Sequence, residues 1–212
     1  MSLWSRLFKQ SAADKAMKDG IRLVWRTVED ETYQNDMLPP DFSDPIKNGI
    51  AVDSLPNATG PFGHVPTNPI PVNGAIGELA YLSRLETLEG RNLLFHRLGA
   101  INTVDVFEVV SMDGRHWDIL YLHCYHPSKS KLVPAGFRIG APRQFSGFHT
   151  SCPQFPYDFD ENKTAMPDML RLAYALRETI RIALRQTSFD RPASHERKVA
   201  AVKGLLTSFM PS

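Results

Sequence analysis

Residues 103–127, TVDVFEVVSMDGRHWDILYLHCYHP, constrain the fold more than any other stretch of this chain. Asp113-Gly114 divides two apolar runs rich in β-branched and aromatic residues, which is a hairpin signal. With Asp113 and Gly114 as the two turn residues, Val110 faces Trp117, Val109 faces Asp118, and Phe107 faces Leu120. Asp105 then faces Leu122, Val104 faces His123, and Thr103 faces Cys124. Bulky apolar side chains fall on both faces of this ribbon. An antiparallel pair with one wet face would alternate with polar residues, so each face here needs a cover.

The surrounding sequence predicts what those covers are. Residues 79–88 and 92–98 flank Glu89-Gly90-Arg91 and read as two further strands, giving an antiparallel meander of four over 77–126. Residues 165–187 and 194–209 carry helical apolar spacing and supply two C-terminal helices for one face. Pro192 precedes the second, and Ser194 is its predicted N-cap. Residues 127–163 form an aromatic loop. Residues 35–76 contain Pro39, Pro40, Pro45, Pro56, Pro61, Pro66, Pro69 and Pro71, which argue against any helix or central strand there. Apolar residues such as Phe42, Ile46, Ile50 and Val52 make this an ordered wrap over the second face rather than a linker.

Residues 1–34 read as an N-terminal helical arm. A helix over 2–18 breaks at Asp19-Gly20, and Ile21, Val24, Trp25 and Val28 mark the buried side of a second. The fold class is therefore α+β: a helical arm on 1–34 and one domain on 35–212.

Bulk composition excludes several functions. With 42% hydrophobic and 22% charged residues, the chain can build a core without disulfides. A formal net charge of +1 argues against nucleic acid as a partner. No run reaches the roughly 18 apolar residues a spanning helix needs, and MSLWSRLFKQSAADKAMK lacks the apolar centre of a secretory signal. Trp4, Leu7 and Phe8 beside Arg6 and Lys9 could lie in a membrane interface, but packing on the domain is the expectation. A cytoplasmic, reducing location follows, with Cys124 and Cys152 as free thiols.

Four constellations could carry chemistry or binding. Pairing 92–98 with 103–111 across Leu98–Asn102 brings His96 near Asp105 on the face of Cys124. That is the arrangement of an activated thiol in a hydrolase or transferase. Strand alternation places Cys124 and His126 on one face and His123 on the other. No cofactor is expected; the alternative is zinc, for which His149-x-x-Cys152, joined by His126, is a half-site. The rigid stretch containing Pro69, Pro71 and Asn73 is a candidate contact, as is the stripe Arg177, Arg181 and Arg185. Each also has an ordinary structural explanation: a buried thiol, satisfied histidines, a structural turn, a solvated helix face. Phosphate loops, nucleophile elbows and His-Glu-x-x-His patterns are absent. The sequence therefore favours a non-catalytic protein-interaction or assembly module, through a protein partner or a homodimer, over either chemical alternative.

Overall fold

The structure, a computed structural model, describes residues 12–142, 147–148, 151–158, 182 and 184–208. Helix α1 (Ala12–Glu29) runs through Asp19-Gly20 without the predicted break. A glycine in a helix interior costs only about 1 kcal/mol, and no proline accompanies it. Trp25, assigned to the buried side, is exposed, whereas Val28 is buried. Asp30 caps α2 (Glu31–Asp36), its Oδ1 accepting the Tyr33 amide proton at 2.9 Å. The Gln34 amide then donates to the carbonyls of Thr27 and Val28, closing the end of α1.

Helix α3 (Pro40–Lys47) occupies the Pro-rich segment, where the proline count predicted no helix. Pro40 sits in the first turn, whose amide has no intrahelical partner to lose. Pro45 removes one donor from a helix that ends two residues later. Residues 48–69 are the irregular wrap and contain neither helix nor strand. The wrap ends in β1 (Ile70–Pro71).

The predicted first strand of the meander is instead α4 (Gly74–Arg84) followed by the short β2 (Leu85–Thr87). Tertiary burial overrides an ambiguous pattern here, since eight of the helix's eleven residues are buried. Gly77 permits the turn into α4: a Cβ there would stand 2.3 Å from Asn73 Oδ1. The predicted Glu89-Gly90-Arg91 turn is present, with the Gly90 amide donating to the Thr87 carbonyl. Next come β3 (Leu93–Ile101), β4 (Val104–Ser111) and β5 (Trp117–His123). The aromatic loop contributes β6 (Phe137–Ile139) and β7 (Gly147–Phe148), and the last element is α5 (Ala193–Ser208).

The main sheet has the order β1-β5-β4-β3-β7 and is mixed rather than purely antiparallel. Strands β3, β4 and β5 form the antiparallel centre, while two-residue β1 and β7 run parallel at its edges. Strands β2 and β6 make a separate antiparallel pair. The β4–β5 register is the predicted one, from Val110↔Trp117 to Val104↔His123. Its turn differs. Gly114 alone has positive φ (73°), and its amide bonds the Ser111 carbonyl, so a longer loop replaces the two-residue turn.

The β3–β4 register also differs from expectation. Strand β3 continues to Ile101, which pairs with Val104 across Asn102-Thr103, and Asn102 adopts φ 55°. A bulge between Arg97 and Gly99 then shifts the ladder, so His96 faces Glu108 and Asp105 faces Ala100.

Both faces of the sheet are buried, and the chain covers each itself. On the first face, Leu79 and Leu82 of α4 meet Phe95, Phe107, Val109, Leu120 and Leu122, with Phe62 and Val133 at the margin. On the second, Val199 and Val202 of α5 meet Val106, Ile119 and Tyr121. Cys152, Phe155 and Phe189 extend that cover over Leu94, Val110 and Trp117. Of the two predicted C-terminal helices, α5 is therefore present, although its Leu205 is exposed rather than buried. The other, 165–187, lies outside the described residues except for 182 and 184–187, of which 182 and 184–186 are helical. No described helix is long and apolar enough to cross a membrane.

Candidate functional site

Ionisable side chains gather at three places around the central strands. The first lies under α4. Alternation along β4 turns Asp105 toward the face that α4 covers, Cys124 packs against the same face just past the end of β5, and α4 lowers Glu78 onto them. Ligand atoms of Glu78, Asp105 and Cys124 all lie within 4.8 Å of one another. Arg97 projects from β3 and donates Nε–H to Asp105 at 2.8 Å, with a second bond from its Nη2. Burial, reinforced by the adjacent Asp105, pushes the Glu78 carboxyl well above its usual range. Glu78 is thus held toward its protonated form beside an Arg97–Asp105 ion pair. Two oxygen donors and a sulfur could hold a cation only if Arg97 left and Glu78 lost its proton.

The predicted Cys124–His96–Asp105 arrangement is only partly present. Cys124 and Asp105 come together, but His96 lies on the opposite face of the sheet, because the bulge and the longer β3 move it along β4. Burial, then the Glu78 and Asp105 carboxyls, push the Cys124 thiol far above its usual range. A thiol held protonated is a poor nucleophile.

The second cluster lies under α5 and centres on Glu108. His96 Nδ1 accepts the Cys152 amide proton at 2.9 Å, so its ring proton is on Nε2 and goes to Glu108 Oε2 at 2.8 Å. His195 Nε2 reaches Glu108 Oε1 at 3.0 Å, and Arg191 Nη2 donates to Oε2 at 3.1 Å. Phe155 stacks on His96 with centroids 4.1 Å apart, and the Arg191 guanidinium lies over Trp117. Burial alone would raise the Glu108 carboxyl. Hydrogen bonds from His195 and His96, with the Arg191 charge, outweigh it and hold the group down at about 2. Sequence reasoning missed this cluster. Its one visible signal was a glutamate in the middle of the apolar run VDVFEVV.

The third cluster is at the end of β5. Alternation had separated His123 from His126, but it holds only within a strand, and β5 stops at His123. The chain then turns, and His123 Nδ1 meets His126 Nε2 at 2.8 Å. His126 Nδ1–H donates to the Ile50 carbonyl at 2.7 Å, which leaves Nε2 to accept from His123. Burial, then His126, lower His123 below its usual 6.5.

The proposed zinc half-site lies only partly within the described residues. Cys152 is buried beside His96 of β3, whereas His126 lies beyond β5, on the other side of β4. His149 is outside the described residues. Pro69, Pro71 and Asn73 are all buried, because this stretch forms the sheet edge and the start of α4. Arg185 is exposed, and Arg177 and Arg181 lie outside the described residues.

The arrangement as a whole is a mixed sheet closed on both faces by its own chain, an α+β fold with one enclosed polar cluster per face. Comparison with protein-family models, with curated proteins and with solved structures found no match to this chain.

Proposed function

We propose that this protein is a non-catalytic interaction or assembly module whose contact surface is the rim formed by α3, the start of the wrap and the end of β5. The observation that carries this reading is a set of large apolar side chains exposed on a firmly held backbone. Phe42 is 66% exposed and Ile50 68% exposed. Tyr125, also exposed, is beside Ile50, which directly follows the helix that carries Phe42: the carbonyl of Ile50 accepts from His126, and Gly49 packs directly against the Tyr125 carbonyl. Single exposed apolar residues are ordinary, whereas several converging on one rim mark a contact surface. A rigid rim loses little conformational entropy on binding, which favours association. The enclosed Glu108 and Glu78 clusters support the same reading, since each holds part of the chain to the sheet.

Analytical ultracentrifugation of the full chain over a range of concentrations tests this, together with capture from native extract. Wild type is expected to self-associate or retain a partner, and Phe42→Asp and Ile50→Asp to lose that association at unchanged melting temperature. A monomer at every concentration, with capture unaffected by both substitutions, overturns the proposal.

A further inference from the structure

We infer that the cleft between α4, residues 51–53 and residues 128–131 binds the phosphate group of a small molecule. This site is separate from the proposed contact rim, and the inference stands independently of it. The cleft encloses about 540 Å³, within the range of small-molecule sites.

Its wall is built before any ligand arrives. The Ser130 amide donates to the Pro71 carbonyl and its hydroxyl to the Asp53 carbonyl at 2.6 Å. The two acids on the cleft are already engaged by that wall. Asp53 Oδ1 accepts the Lys131 amide proton at 2.8 Å. Glu31 Oε1 accepts the Lys129 amide proton at 2.9 Å and pairs with Lys129 Nζ at 3.1 Å.

The remaining polar lining is cationic or a hydroxyl donor. Lys131 is exposed, and no ion pair engages it among the described residues. Arg84 pairs through Nη1 with Glu29 at 3.7 Å and donates Nε–H to the Gly140 carbonyl at 3.5 Å, which leaves Nη2 without a partner among the described residues. Ser128 adds a hydroxyl to the same lining. A guanidinium edge, an ammonium and a hydroxyl lining one cleft match the several acceptor oxygens of a phosphate. Val52 and Ile139 give the cleft an apolar side, so the ligand carries a short apolar or aromatic body beside its phosphate.

Isothermal titration of the full chain with inorganic phosphate, phenyl phosphate and benzoate tests this. Saturable binding is expected for both phosphates, tighter for phenyl phosphate, with benzoate weakest. Lys131→Ala and Arg84→Gln should each weaken phenyl phosphate by about tenfold, the loss of roughly one charge-assisted bond. Arg115→Ala, in the β4–β5 loop, should leave it unchanged. Because Arg84 also touches Glu29, the Lys131 and Ser128 amide resonances provide a second readout, and they should shift on titration of wild type. Absence of saturation below ~10 mM, insensitivity to Lys131→Ala, or benzoate binding tighter than phenyl phosphate overturns the inference.

Discussion

The two faces of the central sheet are closed in opposite ways. The α4 face is covered by a helix adjacent in sequence, and its polar cluster is an acid held toward its protonated form beside one ion pair, Glu78 with Arg97–Asp105. The α5 face is covered by chain that returns from far along the sequence, and its cluster is a carboxylate with three donors, Glu108 with His96, His195 and Arg191. Burial has the same sign at both sites and acts to neutralise each acid. It prevails at Glu78, which faces another carboxylate, and it loses at Glu108, which faces hydrogen-bond donors. The nature of the neighbours, more than the depth of burial, decides whether a buried glutamate is charged.

The comparison implies opposite responses to pH. Glu108 is held down at about 2 from a usual 4.5, so its stabilisation is present above the usual value and is lost as pH falls toward 2. Glu78 is raised, so its contribution is complete below its usual 4.5 and is lost as pH rises through its folded value. Acid should loosen the α5 cover, and alkali the α4 cover.

The largest effect should come from breaking the α5 side. Glu108→Ala leaves two histidines and an arginine without their shared acceptor and should cost about 3–5 kcal/mol in urea unfolding. Hydrogen exchange should place the loss in 151–157 and α5 rather than α4. Equal loss in both covers would end the contrast.

Thiol labelling probes whether the α4 face is closed. Cys124 should react at least about a hundredfold more slowly in the native protein than after unfolding, given its protonated, half-buried state. Fast native labelling near neutral pH would restore the thiol-enzyme alternative.

A smaller effect is expected from Glu78→Gln. The amide mimics the neutral acid, so stability at pH 7 should hold or rise by about 1–2 kcal/mol, and its decline toward alkaline pH should flatten. A large loss at pH 7 would mean that Glu78 is ionised in the native state.

The smallest concerns the wrap on the same side. His64 Nδ1 lies 3.3 Å from Asp118, whose hydrogen bond raises the imidazole above 6.5. That pairing stabilises fully below 6.5 and is lost as pH rises through the raised value. Asp118→Asn should cost about 1 kcal/mol at pH 6 and much less at pH 9, where the imidazole is neutral. A pH-independent cost would assign Asp118 a packing role instead.

The hairpin at 103–127 was legible because its signals are local. Two apolar runs and one Asp-Gly are enough to place β4 and β5 in register, from Val110↔Trp117 to Val104↔His123. Beyond that pair the local signals run out. LAYLSRLETL satisfies helix and strand patterns alike, and only packing on the sheet makes it mostly helix. The bulge at Arg97–Gly99 has no sequence marker that fixes its position, yet it moves His96 away from Asp105 and onto Glu108. Half of the predicted thiol site, Cys124 with Asp105, followed from alternation and the hairpin register. Glu78 and His195 could not be foreseen, because each arrives on a helix whose docking is set by the whole core.

By itself, the sequence determined that a double-sided apolar hairpin would form and that both of its faces would have to be covered. That conclusion rests on side-chain alternation and on the cost of leaving apolar surface in water, which operate within a few residues. The tertiary structure decided what the covers are and which acids meet which bases beneath them. Those pairings join residues up to 87 positions apart, as Glu108 and His195 are, and long-range contacts of that kind exist only once the chain has closed on itself.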